Sequence, residues 1–193
     1  MTSALRLPHR LLLAVVALLA AAALVPAAAS ANSGTTYGST ALVLDPGTAA
    51  ALTSLGVTPG IVAPAAAKAD GINFPITNGL GSVLRTGTIR HSGGLTLTAG
   101  TTVVRLTDYW INLGSRTLSA NVSVDGGPNL GRVAILDLNF RGAGLRLFPA
   151  LRIGPVTATL TEAAASTLNS VFGTSALSTS TVLGKATVKY RLF

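Results

Sequence analysis

Residues 102–113, TVVRLTDYWINL, and 116–124, RTLSANVSV, flank Gly114 and Ser115 and alternate apolar with polar side chains. A period of two sends successive side chains to opposite faces of an extended chain, so each run reads as a β-strand. The alternation fails once, at Asp108-Tyr109-Trp110. Strict parity puts Tyr109 with Ile111 and Leu113, and Trp110 with Val104 and Leu106, which leaves both faces partly apolar. A β-bulge, or a strand covered on both sides, accounts for that. The two aromatics then belong to core packing, with a surface platform for a flat ligand as the competing reading of Trp110.

The same rhythm extends outward in both directions. Residues 40–44, 56–64, 71–76, 87–92 and 95–99 precede this pair, and 132–140, 144–148, 155–160 and 186–192 follow it, punctuated by Gly, Pro, Asn and Asp. About ten short strands predict a mainly β fold, an antiparallel sandwich-like domain. Two stretches break the pattern. LDPGTAAALTSLG (44–56) and LTEAAASTLNSVFG (160–173) each offer a cap, Asp45 or Thr161, followed by Pro46 or Glu162 at the first helical position. Ala164, Leu168, Val171 and Phe172 share one helical face and Gly173 is a natural stop, so the expectation is two short helices.

The first 31 residues read as a signal peptide: Arg6 and Arg10, an apolar run over 11–25, then small residues at 27–31. The apolar run is about 15 residues, short of the roughly 20 that span a bilayer. The expectation is cleavage near Ala31, a flexible N-terminus over 32–39, and a single β domain over 40–193 with no transmembrane anchor in the mature chain. The product is secreted, or held at the cell envelope. Absence of Cys then means that packing alone must hold an exported domain together.

Removal of Arg6 and Arg10 leaves 14 − 2 = 12 basic against 6 acidic residues. Most of the bases are singly spaced arginines. Lys185, Lys189 and Arg191 are grouped on one face of the last strand, where they either protect a sheet edge from pairing with other chains or attract an anionic envelope polymer or lipid headgroup. Nucleic acid is not an expected partner, because aromatics make up only 5% of the chain and no basic run is interleaved with stacking side chains. An outer-membrane barrel is disfavoured because it needs aromatic girdles, whereas aromatics here are scarce and two helix-like segments interrupt the alternation.

Catalytic signatures are missing: no nucleophile elbow, zincin helix or P-loop occurs. Asp45 and Glu162 are used at helix starts and Asp125 in the turn 124–131. Asp70, Asp108 and Asp137 remain for an acid–base pair, so an unrecognised hydrolase stays only as an alternative and the expectation is no enzyme. Asp125 with Asn129 supplies too few oxygens for calcium. His91 lies in TGTIRHSGGLTLTAG (86–100), with the parity of Ile89, and leans inward before a Ser-Gly-Gly turn. It has no local partner for general-base work and no second His or Cys for a protein-ligated metal. Haem needs only one or two axial ligands, and His91, Tyr37, Tyr109 and Tyr190 are the donors present, so haem is the cofactor this inventory still supports.

The segments FPITNG…LRTGTIRHSGGLTL, TDYWINLGSRTLSANVSV, VAILDLNF and TATLTEAAASTLNSVFG resemble, over about residues 70–173, the HtaA-like domain of actinobacterial exported proteins. That resemblance implies an exported, mostly β domain and, in well-known members, haem binding at the cell surface. Haem-binding members are similar to one another in an N-terminal aromatic segment that supplies an axial Tyr assisted by a His. Residues 32–60 of this chain are Ala- and Thr-rich, with Tyr37 alone. His91 is carried over as a candidate assisting residue, and Tyr109 joins it on chemistry alone. The expected function is that of a non-enzymatic binding or structural envelope protein, with haem or an anionic cell-wall polymer, met through Lys185, Lys189 and Arg191, as its candidate partners.

Overall fold

A computed structural model describes residues 36–191 except 126 and 128. The signal-peptide reading of 1–31 lies outside those residues. The described chain is mainly antiparallel β: β1 (Gly38–Leu44), β2 (Thr58–Val62), β3 (Ala66–Lys68), β4 (Gly71–Ile76), β5 (Thr88–Arg90), β6 (Gly94–Ala99), β7 (Thr102–Asn112), β8 (Thr117–Val124), β9 (Asn129–Asn139), β10 (Gly144–Arg146), β11 (Leu151–Leu160) and β12 (Val182–Tyr190). Three short helices interrupt them: α1 (Pro46–Ser54), α2 (Leu80–Thr86) and α3 (Glu162–Phe172). No helix among the described residues is long and apolar enough to cross a membrane.

The twelve strands form one sheet in the order β2-β6-β7-β8-β9-β11-β12-β1-β4-β3, with β10 on β11 and β5 on β7. That sheet nearly closes on itself. His91, one residue past β5, makes an isolated bridge with Ile76 at the end of β4, and Thr77 N–H donates to the Arg90 carbonyl at 2.9 Å. The seam β4–β5–β7 turns an open sheet into a barrel-like shell, whose inner face carries Ile76, Ile89, Val104 and Ala120 in full burial. Prolines occur where strands tolerate a missing donor: Pro59 on β2, at the end of the sheet path, and Pro155 at the register shift of β11.

Two helices start as their capping residues predict. Asp45 accepts from Gly47 N–H at 2.9 Å and Thr48 N–H at 3.3 Å, and Thr161 accepts from Ala164 N–H at 3.1 Å. Gly173 ends α3 in the left-handed conformation. The third helix, α2, was not expected. Gly79 at its start makes no side-chain cap bond and only Val83 is buried, so tertiary packing rather than local signal holds it. The bulge expected at Asp108 is present as a register shift between Thr107 and Trp110. It reverses the parity so that Tyr109 and Ile111 point inward with Val104.

One expectation is overturned by long-range pairing. β12 does not lie at an edge: it sits between β11 and β1. Lys185, Lys189 and Arg191 therefore do not guard an unpaired edge. The first strand of the described chain closes over the last, with Gly38 opposite Tyr190 and Leu44 opposite Gly184. Gly38 and Ser39 belong to β1, which begins before Thr40.

Candidate functional site

The turn after β5 sets the interior site. Gly93 has φ +80, and a Cβ there would stand 2.5 Å from the Ala65 nitrogen and 2.8 Å from the Val62 oxygen. Only glycine combines that backbone with so close an approach. The Ser-Gly-Gly sequence thus lets the β5–β6 connection press against the segment after β2, and His91 is carried inside the shell.

His91 is buried, 4% exposed, and both ring nitrogens are engaged. Nδ1 lies 3.1 Å from the Tyr109 carbonyl, which also accepts the His91 backbone N–H at 2.8 Å. A carbonyl only accepts, so Nδ1 carries the proton. Nε2, 2.7 Å from Thr40 Oγ1, then accepts from that hydroxyl. The imidazole is neutral, its pKa lowered to about 4 by burial against a smaller opposing effect of the Tyr109 carbonyl. The structure brings His91 and Tyr109 together. The Tyr109 ring stands edge-on to Phe74 at 5.0 Å between centroids, and burial pushes its hydroxyl upward despite a bond to the Leu95 backbone.

Around this cluster the shell is hollow. A void of about 100 Å³ receives side chains from every strand but β3 and β10, and its only polar residues are Thr40, His91 and Tyr109. A second void of about 70 Å³ lies under α3 and shares Leu97, Leu106, Ile135, Leu136 and Leu183 with the first. Both walls are mostly aliphatic, and space of that kind stays dry.

The other sequence candidates lie outside. Two of the chain's own guanidinium groups lie over Trp110, Arg132 at 3.8 Å and Arg90 at 4.5 Å, so the ring is engaged rather than a bare platform. Arg132 also donates to the Asp108 carbonyl at 2.9 Å. Burial is the first cause that lowers its pKa, with Asp108 opposing and Arg90 adding to the fall. The three remaining acids stand apart. Asp70 pairs with Lys189 and, held by that contact first and by Asn73 second, has its pKa lowered to about 2. Asp108 accepts from Asn121 at 3.2 Å, and Asp137 stands on β9 opposite Thr117 and Thr159. Among the described residues no three His, Cys, Asp or Glu side chains group to hold a metal.

On the basic face, register extends the sequence reading. Arg146 stands opposite Arg152, Arg152 opposite Lys189, and Lys189 opposite Ser39. Arg146 and Arg152 were read as isolated charges; their signal was symmetry, three residues either side of Pro149. Thr40 was also missed, and its only signal was a hydroxyl at the parity of Leu42 and Leu44.

No protein-family model matches the chain, and no curated protein sequence matches it. Among solved structures, the C-terminal domain of HtaA from Corynebacterium glutamicum superposes with a TM-score of 0.57 at 15% identity, covering 80% of this chain and 97% of that one. The fold is HtaA-like. At that identity the match carries the architecture and leaves the ligand open.

Proposed function

We propose that this chain is an exported, non-catalytic envelope protein that holds a small apolar ligand inside an HtaA-like shell. The observation that carries this reading is the pair of adjoining, mostly aliphatic voids, at the first of which the His91 ring is bonded to Thr40 and to the Tyr109 carbonyl. A ligand there gains by burial, and no free acid, base or nucleophile faces it. Export is supported by the pattern of residues 1–31. The basic face supports contact with an anionic surface of the envelope.

Haem does not fit this interior. The resemblance implies an axial Tyr from the N-terminal segment with a His assisting, but the N-terminal hydroxyl that meets His91 belongs to Thr40, a short alcohol rather than a phenol. His91 has no free ring nitrogen, since Nδ1 meets the Tyr109 carbonyl and Nε2 meets the Thr40 hydroxyl. A cavity of about 150 Å³ holds one benzene ring, so a void of about 100 Å³ has no room for a macrocycle of four pyrroles.

The test is a thermal-unfolding series with linear alkanols from butanol to decanol. Stabilisation should grow with chain length and then stop, as mass action requires of a ligand bound only by the folded state. Ala158→Val, which fills the first void, or Ala164→Leu, which fills the second, should abolish it. A parent that shows no alkanol response, while the filled variants are simply more stable, would reduce the voids to packing defects. Haemin should give no Soret shift that depends on His91 or Tyr109.

A further inference from the structure

The hairpin formed by β10 and β11 exposes three large apolar side chains beside cations that no carboxylate among the described residues pairs. Residues 144–149, GLRLFP, are all exposed, with Phe148 at 85%, Leu145 at 64% and Leu147 at 56%. Its two faces differ. Leu145 is opposite Ile153 and Ile153 opposite Val188, so the apolar inner face of the shell continues onto the hairpin, where nothing among the described residues covers it. The outer face carries the row Arg146, Arg152, Lys189.

That row is unfavourable by itself, because like charges directly opposite across strands repel. Asp70 pairs with Lys189, and among the described residues no carboxylate pairs with Arg146 or Arg152. Two surface clefts meet the hairpin. One, of about 250 Å³, lies between Arg146, Arg152 and Thr187. The other, of about 280 Å³, is lined by Ala150 of the hairpin with Lys68, Lys189 and Arg191.

We propose that the β10–β11 hairpin is a peripheral membrane-docking element: Leu145, Leu147 and Phe148 enter the apolar layer of an anionic bilayer, and Arg146, Arg152, Lys189 and Arg191 bind its phosphates. Guanidinium groups match phosphate oxygens in geometry as well as charge. A contiguous apolar tip rimmed by cations is the surface that an interface between lipid headgroups and acyl chains receives. A hydrophilic wall polymer would satisfy the arginines and leave Leu145, Leu147 and Phe148 in water, which is why the lipid surface is the occupant assigned. The inference rests on the envelope reading only in bringing the protein to a membrane.

The experiment is sedimentation of the chain begun at Asn32, so that the apolar run 11–25 cannot anchor it, with vesicles of equimolar phosphatidylglycerol and phosphatidylcholine against phosphatidylcholine alone. Binding should require the anionic lipid. Arg146→Gln with Arg152→Gln should weaken it roughly 25-fold, at about fivefold for each cation near an anionic surface. Leu147→Ser with Phe148→Ser should weaken it at least about tenfold, the loss expected for apolar side chains left in water. All four positions are exposed, and circular dichroism checks that each variant folds. Equal binding to both vesicles overturns the proposal. So does a tip variant that sediments like the parent, which would give the basic row to a polymer, or one that only dissociates a dimer. The alkanol series reads the interior and this experiment the rim, so either can fail alone.

Discussion

The seam at His91 and the hairpin at Arg152 treat polar groups in opposite ways. At the seam every polar atom of the His91 ring has a partner, and the ring's neutrality is enforced by burial. At the hairpin, guanidinium groups face one another across strands, with water as their surroundings and apolar side chains beside them. A satisfied buried network specifies one structure, whereas an unsatisfied exposed row has binding capacity left over. The His91 ring is held within the shell by its bonds, and arginines spaced singly in the sequence stand in one cross-strand row with Lys189.

The comparison breaks first at the seam. Gly93→Val would demand a left-handed branched residue and drive its Cβ into the backbone of Val62 and Ala65, two separate sources of strain. A loss on the order of 4 kcal/mol or more is expected, at the upper end of single substitutions, and denaturant unfolding should show it as a collapsed midpoint. An unchanged midpoint would mean that the β5–β6 connection does not press on the segment after β2.

His91 gives the next effect, through pH. Its folded pKa of about 4 lies below the ordinary 6.5. Between those values the unfolded chain binds the additional proton, so stability rises with pH across that window. The contribution is complete above about 6.5 and is lost as pH falls through about 4. Its ceiling is about 3 kcal/mol, from roughly 1.4 kcal/mol per pH unit. Unfolding free energies measured from pH 7 to 4 should fall more steeply for the parent than for His91→Gln, which cannot titrate. Parallel curves would show that the imidazole is not held neutral.

Much of the shell was legible because its signals are local. Alternation marked most of the strands, Asp45 and Thr161 announced α1 and α3, and the parity break at Tyr109 announced the bulge. What was not legible depends on which distant strands meet. Thr40 reaches His91 across 51 positions, and β12 becomes interior only because β1 pairs with it. α2 lacks a side-chain cap and carries an internal Gly81, so its sequence argues for a loop. The charged row illustrates the same limit: single arginines in a string become neighbours only once a hairpin register is set.

The smallest effect tests that row and has the opposite sign from those at the seam. Arg152 stands between Arg146 and Lys189 in register, so Arg152→Gln removes two repulsions and, among the described residues, no ion pair. Cross-strand pairs of this kind are worth about 0.2–1 kcal/mol each, and the variant should unfold at slightly higher denaturant than the parent at low ionic strength. The gain should shrink as salt is raised, since exposed charges are screened over about 10 Å at 0.1 M. A loss of stability would mean that the guanidinium or its aliphatic stem holds the hairpin in place. A gain that salt erases would mean that the fold carries Arg152 at a cost, and a cost borne by the free protein is recovered when an anion lies against it.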